Sequence, residues 1–379
     1  MQTQEFRVLR RLNRLRRDIQ QYGKTTGIIF AALLLFAIVY RIPVASGQVR
    51  VSFMVIMEIS LTLALATVLW QYNKYIAAFL VMAMISMFYP HYGPMSFYAQ
   101  KMVFIGCLWY FLLVHYVENI DPFLDAMCYG ALINLLVQCL QVVMKDLGEP
   151  FFLGCQAPVG LMANPNEISA LYVFCLPAFF LKMRNNLNWI MGIPFIFLGM
   201  ILSETLMGFA CLWVGFVVWL FHQRKYWWVL GAMLSAVLVC ALIFVPIKTL
   251  FLRYAVWDVT FPILKQHWIM GAGIGHWKLL FKGAMPFDGQ RWTMAHNEFY
   301  QLWAEMGVIP LVLVGLYFID ILRKHRREFV FTAVAISMIA INSVGNFCWH
   351  IAPLAMIAIT WLAILEINLR KGITSDRRI

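Results

Sequence analysis

Arg253, Trp257, His296, Asn297, Glu298 and Glu305 are the residues of this chain whose types and order could carry chemistry. A guanidinium such as that of Arg253 is planar, permanently charged and able to bind diphosphate oxygens through two donors at once. A histidine at the mouth of a helix, as His296 is expected to be, can take a proton from an attacking hydroxyl. Glu298 and Glu305 lie seven positions apart and so share one helical face. A carboxylate below the surface of an apolar run is costly, so Glu305 is expected to be functional or paired with a basic group. Between the Arg and the His stand Gly271, Gly273 and Gly275, which permit close backbone approach. No strand precedes them, so this G-x-G-x-G is not a dinucleotide fingerprint.

Two further polar clusters interrupt apolar sequence. Asn164-Pro165-Asn166 reads as a turn and a helix start, because Asn caps and Pro fits the first helical position. The amides of Asn164 and Asn166 also suit the hydroxyls of a sugar. Ser203-Glu204-Thr205 reads either as a tight polar turn or as a carboxylate that meets a cation from the 248–295 stretch. That stretch holds Lys248, Arg253, Lys265, Lys278, Lys282 and Arg291 against Asp258 and Asp288. Arg253, Val256, Trp257, Phe261 and Leu264 recur at helical spacing, which predicts an interfacial amphipathic helix kinked at Pro262.

The elements that must position these residues are membrane spans. The chain has 379 residues, of which 62% are hydrophobic and 13% charged, with a mean hydropathy of +0.75. A soluble domain carries about 25% charged residues. Composition therefore predicts an all-α polytopic transmembrane bundle, with no soluble domain. Met1 to Lys24 read as a basic amphipathic helix on an anionic leaflet. Twelve spans are expected at roughly 25–43, 51–70, 75–90, 99–117, 122–144, 166–183, 187–203, 205–222, 226–247, 296–320, 328–345 and 350–368. The organisation is then a cytoplasmic segment 1–24, nine spans in 25–247, an outward loop 248–295, three spans in 296–368 and a tail 369–379. With both termini in the cytoplasm, two thirds of the 30 Lys and Arg residues fall on that side. The net charge of +12 follows this distribution and does not point to nucleic acid. No internal repeat of the transporter type is visible. The eight cysteines show no metal-site spacing, and a Cys155–Cys348 disulfide is only a weak option.

The order Asn-Pro-Asn, a short Ser-containing turn, Arg…Trp, Gly-x-Gly-x-Gly and His-Asn-Glu…Glu-x-Gly resembles the O-antigen ligase and polymerase superfamily. Its members include lipopolysaccharide O-antigen ligases, Wzy-type polymerases and bacterial O-oligosaccharyltransferases. The resemblance spans Gly160 to Gly307 and implies a GT-C-like inner-membrane glycosyltransferase with its active site on the periplasmic face. It implies an undecaprenyl-diphosphate-linked glycan as donor and a sugar acceptor such as lipid A-core. Arg253 and His296 match the family's essential arginine and histidine. Asn164, Asn166, Lys248, Trp257, Lys265, Gly273, Asn297, Glu298 and Glu305 are the expected substrate-binding set. Ser203-Glu204 stands where many members have Ser-Arg, so that second arginine is absent here. No Asp-x-Asp pair lies near the outer face, so neither metal nor other cofactor is expected. The alternatives are a polymerase with the same chemistry or, from another class, a transporter of the lipid-linked sugar.

Overall fold

The computed structural model describes residues 47–88, 94–117, 119–146, 158–226, 228–229, 248–280, 294–324 and 330–376. The expected amphipathic segment 1–24, the first span, most of the ninth span, Cys155, Lys282 and Arg291 lie outside these residues. All regular structure among the described residues is helical. In chain order the helices are α1 (Gly47–Tyr72), α2 (Lys74–Met87), α3 (Pro94–Tyr116), α4 (Asp121–Asp146), α5 (Pro165–Met183), α6 (Gly192–Ser203) and α7 (Leu206–His222). They continue as α8 (Lys248–Gln266), α9 (Trp277–Leu280), α10 (Glu298–Met306), α11 (Val308–Lys324), α12 (Val330–Gly345) and α13 (Ala352–Asp376). Short 3₁₀ turns at Leu187–Met191 and Cys348–His350 precede α6 and α13.

Among the described residues four helical stretches are long and apolar enough to cross a membrane: Met95–Tyr116, Asp121–Lys145, Pro165–Met183 and Ala352–Arg370. Five shorter apolar helices accompany them. Helix α4 shows how the chain meets a bilayer. Tyr129, Ile133, Leu136, Leu140 and Val143 form an exposed apolar stripe along it. The opposite face carries Asn134, Gln138 and Gln141, all buried. A soluble helix turns its apolar stripe inward. A helix in lipid can expose that stripe and bury its amides where the protein satisfies them. The protein is a helical membrane protein.

Helix α5 is the packing centre, with an unbroken run from Glu167 to Phe179 buried. It packs against α4, α6, α7, α12 and α13. Trp361 of α13, fully buried, donates its indole N–H to the Phe174 carbonyl at 2.8 Å. A second core joins α1, α2 and α3 to Ala363 of α13. Two corrections concern the expected spans. The tenth, 296–320, is two helices, because Gly307 at φ 78° breaks the chain between α10 and α11. The seventh begins with the 3₁₀ turn at Leu187–Met191 and becomes α-helical only at Gly192.

Candidate functional site

The segment that carries Asn164 is held from α4. The Gln141 side-chain oxygen accepts from the Val159 and Gly160 backbone N–H groups at 2.8 Å each. The Asn134 oxygen accepts from the Leu161 N–H at 3.0 Å. The chain then turns into α5 through a reciprocal cap. Asn164 accepts from the Glu167 N–H at 3.1 Å, and Glu167 accepts from the Ala163 N–H at 3.1 Å and from the Asn164 amide. Satisfying the first N–H groups of α5 this way ties Asn164 to the helix start. The capping role expected from Asn-Pro-Asn is therefore real, and Pro165 is the first residue of α5.

Arg253 lies on α8, whose Val256 and Leu264 pack with Trp277, Ala295 and Ala304. Helix α8 runs from Lys248 through Pro262 to Gln266. Arg253 Nη2 donates to the Asn346 oxygen at 3.3 Å. Burial disfavours charge on this arginine and lowers its pKa, yet a guanidinium remains protonated. The result is a half-buried cation with only a neutral amide beside it in the described hydrogen bonds.

His296 sits immediately before α10, in the left-handed region at φ 50°. Its ring meets Phe347 edge-to-face, with centroids 4.8 Å apart. Burial, reinforced by the positive charge of Arg253, pushes its pKa down to about 4. At neutral pH the imidazole is uncharged, the form that can accept a proton. Asn297 is the N-cap of α10, its oxygen accepting from the Tyr300 N–H at 3.0 Å.

Asn164, Asn166, Glu167, His296, Asn342, Asn346 and Phe347 line one cleft of about 130 Å³, with apolar side chains beneath, and Asn297 does not line it. Arg253 reaches its edge through Asn346. Three parts of the chain, the start of α5, the His296 turn and the end of α12, meet here, and α8 supplies the charge. The arrangement offers amides to hydroxyls, one cation to an anion and one neutral base.

The remaining candidate residues are placed elsewhere. Glu305 is buried, and its carboxylate accepts the N–H groups of Gly275 at 2.9 Å and Trp277 at 3.3 Å. Gly273 N–H donates to the Glu305 carbonyl at 2.9 Å, and Ala272 N–H to the Ala304 carbonyl at 2.8 Å. The Gly-rich segment and the Glu-x-Gly segment are thus one backbone clamp. Glu298 is tied to the turn after α12. Its carboxylate accepts from the Trp349 N–H at 2.7 Å and from His350 Nδ1 at 3.0 Å. Burial opposes charge on His350, but the Glu298 and Glu305 carboxylates outweigh it and raise its pKa to about 9. The Gln301 amino group lies 3.1 Å from His350 Nε2. With the ring charged, Nε2 carries a proton and cannot accept, so at neutral pH this contact is not a hydrogen bond from Gln301. Trp257 donates its indole N–H to the Ala295 carbonyl at 3.1 Å. Lys265 lies over the Phe261 ring of its own helix, 4.8 Å from the centroid. The Lys248 side chain is outside the described set. Glu204 is exposed, in a left-handed turn at φ 52°, with no ion pair among the described residues. The tight-turn reading of Ser203-Glu204-Thr205 describes it.

Asn342, Asn346 and Phe347 were missed by sequence reasoning, which read 328–345 as a plain span. A signal was present, since Asn342 and Asn346 are buried amides one turn apart at the end of an apolar helix. Neither models of known protein families nor curated protein sequences match this chain.

Proposed function

We propose that this protein is an inner-membrane glycosyltransferase of the O-antigen ligase and polymerase type, with twelve spans and a GT-C-like architecture. It transfers a glycan from undecaprenyl diphosphate to a sugar hydroxyl, lipid A-core being the acceptor class, at the periplasmic face. The observation that carries this reading is the neutral His296 in an amide-lined cleft, with Arg253 hydrogen-bonded to Asn346, one of the amides that line it. The acceptor oxygen attacks the anomeric carbon of the donor sugar. The bond from that carbon to the diphosphate oxygen breaks, and the electron pair leaves with the diphosphate. The acceptor's proton passes to His296. Diphosphate is a good leaving group, so the charge that builds on it needs a cation more than an acid, and Arg253 is that cation. The apolar stripe of α4 and the apolar helices keep the site at a membrane, where a polyprenyl donor resides.

The test is turnover of a purified, lipid-reconstituted sample given undecaprenyl-diphosphate glycan and acceptor, without an ion gradient. The expected result is a new glycosidic product and free undecaprenyl diphosphate, with His296→Ala losing turnover but still binding donor. Movement of intact donor across the bilayer without product would replace this reading by a transporter. Failure of His296→Ala to bind donor would move His296 to the diphosphate site.

A further inference from the structure

The His296 backbone is held in an unfavourable conformation, and the peptide before it shows what holds it. A non-glycine residue at φ 50° costs on the order of 1 kcal/mol and persists only where the surroundings impose it. Ala295 is fully buried. Its N–H donates to the Gln301 side-chain oxygen at 3.1 Å, and its carbonyl accepts from the Trp257 indole at 3.1 Å. One grip comes from α10 and the other from α8. Gln301 is itself fixed, its amino group donating to Glu305 Oε1 at 3.3 Å. Trp257 is braced edge-to-face by Tyr300, with centroids 5.9 Å apart. Both side chains spend their polar groups on the Ala295 peptide and the network behind it.

We propose that Gln301 and Trp257 are positioning residues that clamp the Ala295 peptide and thereby set the direction of the His296 imidazole. Neither is a catalytic residue, and Trp257 is not a substrate ligand through its indole N–H. The catalytic consequence rests on the function proposed above, but the clamp itself does not.

Two measurements on the full-length protein in lipid separate the two. The first is hydrogen exchange of the peptide containing Ala295 and His296. Gln301→Met keeps the length and removes the acceptor, so the Ala295 amide should lose protection while the spans keep theirs. Gln301→Glu should restore protection at acidic pH, where a protonated carboxyl can accept from Ala295 and donate to Glu305. The second is a double-mutant cycle on turnover. Gln301→Met should lower kcat by about 100-fold, the scale of a misplaced catalytic group, with little change in KM for the lipid donor. In a His296→Ala background the same substitution should change the residual rate by less than about twofold. Unchanged exchange in Gln301→Met overturns the clamp, and an equal loss of rate with and without His296 overturns the positioning of His296 by it. Lost protection with full turnover supports the clamp and overturns the catalytic assignment of His296.

Discussion

At the residue scale, the site pairs a cation that cannot discharge with a base that cannot easily charge. His296 is kept neutral by burial and by Arg253, so its pKa lies near 4 instead of the usual 6.5. A lowered histidine pKa keeps the ring neutral above that value and charges it only as pH falls through it. Under the proposed function the acid limb of kcat/KM, which reports the free protein, is therefore expected near pH 4 by direct pH–rate measurement, and a limb near pH 6.5 would mean that His296 is not the base. Arg253 contacts the neutral Asn346 and needs an anion to complete it. Arg253→Ala should abolish transfer while the protein still folds and inserts, because it removes a half-buried charge offset in the structure by a neutral amide. Arg253→Lys should recover little, because an ammonium cannot keep Asn346 and two phosphate oxygens in one plane. Full activity in the alanine variant would remove Arg253 from the diphosphate site.

At the element scale, the short α10 connects the site to the Gly-rich segment behind it. Gly307 ends α10 at φ 78°, and a Cβ there would lie 1.9 Å from the Ile269 carbonyl oxygen. Gly271, at φ 71°, would place a Cβ 2.3 Å from the Glu305 carbonyl. Both contacts are with backbone, which cannot swing aside. Gly307→Ala and Gly271→Ala are each expected to destabilise the protein by about 2 kcal/mol or more, since the added methyl meets both strain and overlap. Thermal unfolding in detergent measures this. An unchanged melting temperature would show that the two segments do not clamp each other. Glu305 belongs to this clamp, receiving the Gly275 and Trp277 N–H groups. Its carboxylate serves the fold behind the cleft and does not line it.

At the scale of the whole molecule, helices α4 and α5 divide the work between lipid and site. Helix α4 turns its apolar stripe outward and uses its buried amides to hold the turn that leads to Asn164. The proposed function needs that cleft on the periplasmic side. A reporter fused after Ile379 should then report a cytoplasmic C-terminus, and a periplasmic one would remove the cleft from its donor. Deleting the protein from its cell should leave bare lipid A-core and polymer accumulating on the undecaprenyl carrier. Core capped with a single repeat would identify a polymerase. An unchanged lipopolysaccharide profile with loss of another glycan would identify a different acceptor for the same chemistry.

The sequence by itself determined the helical class, because continuous apolar runs of this length suit spanning helices, which satisfy their own backbone, and not the alternating pattern of barrel strands. It also determined the positions of most helices and the α5 cap at Asn164-Pro165, since each has a local signature. Only the tertiary structure decided which of these residues meet. Asn342 and Asn346 join Asn164 and His296 across segments far apart in the chain, and spacing carries no information about such contacts. It also decided that Gly273 and Glu305 hold each other, and that Trp257 grips a peptide. The physical reason is that a glycine, a buried carboxylate and an indole N–H serve a ligand or the backbone equally well. What stands opposite them settles the matter, and for Glu305 and Trp257 the chain itself stands there.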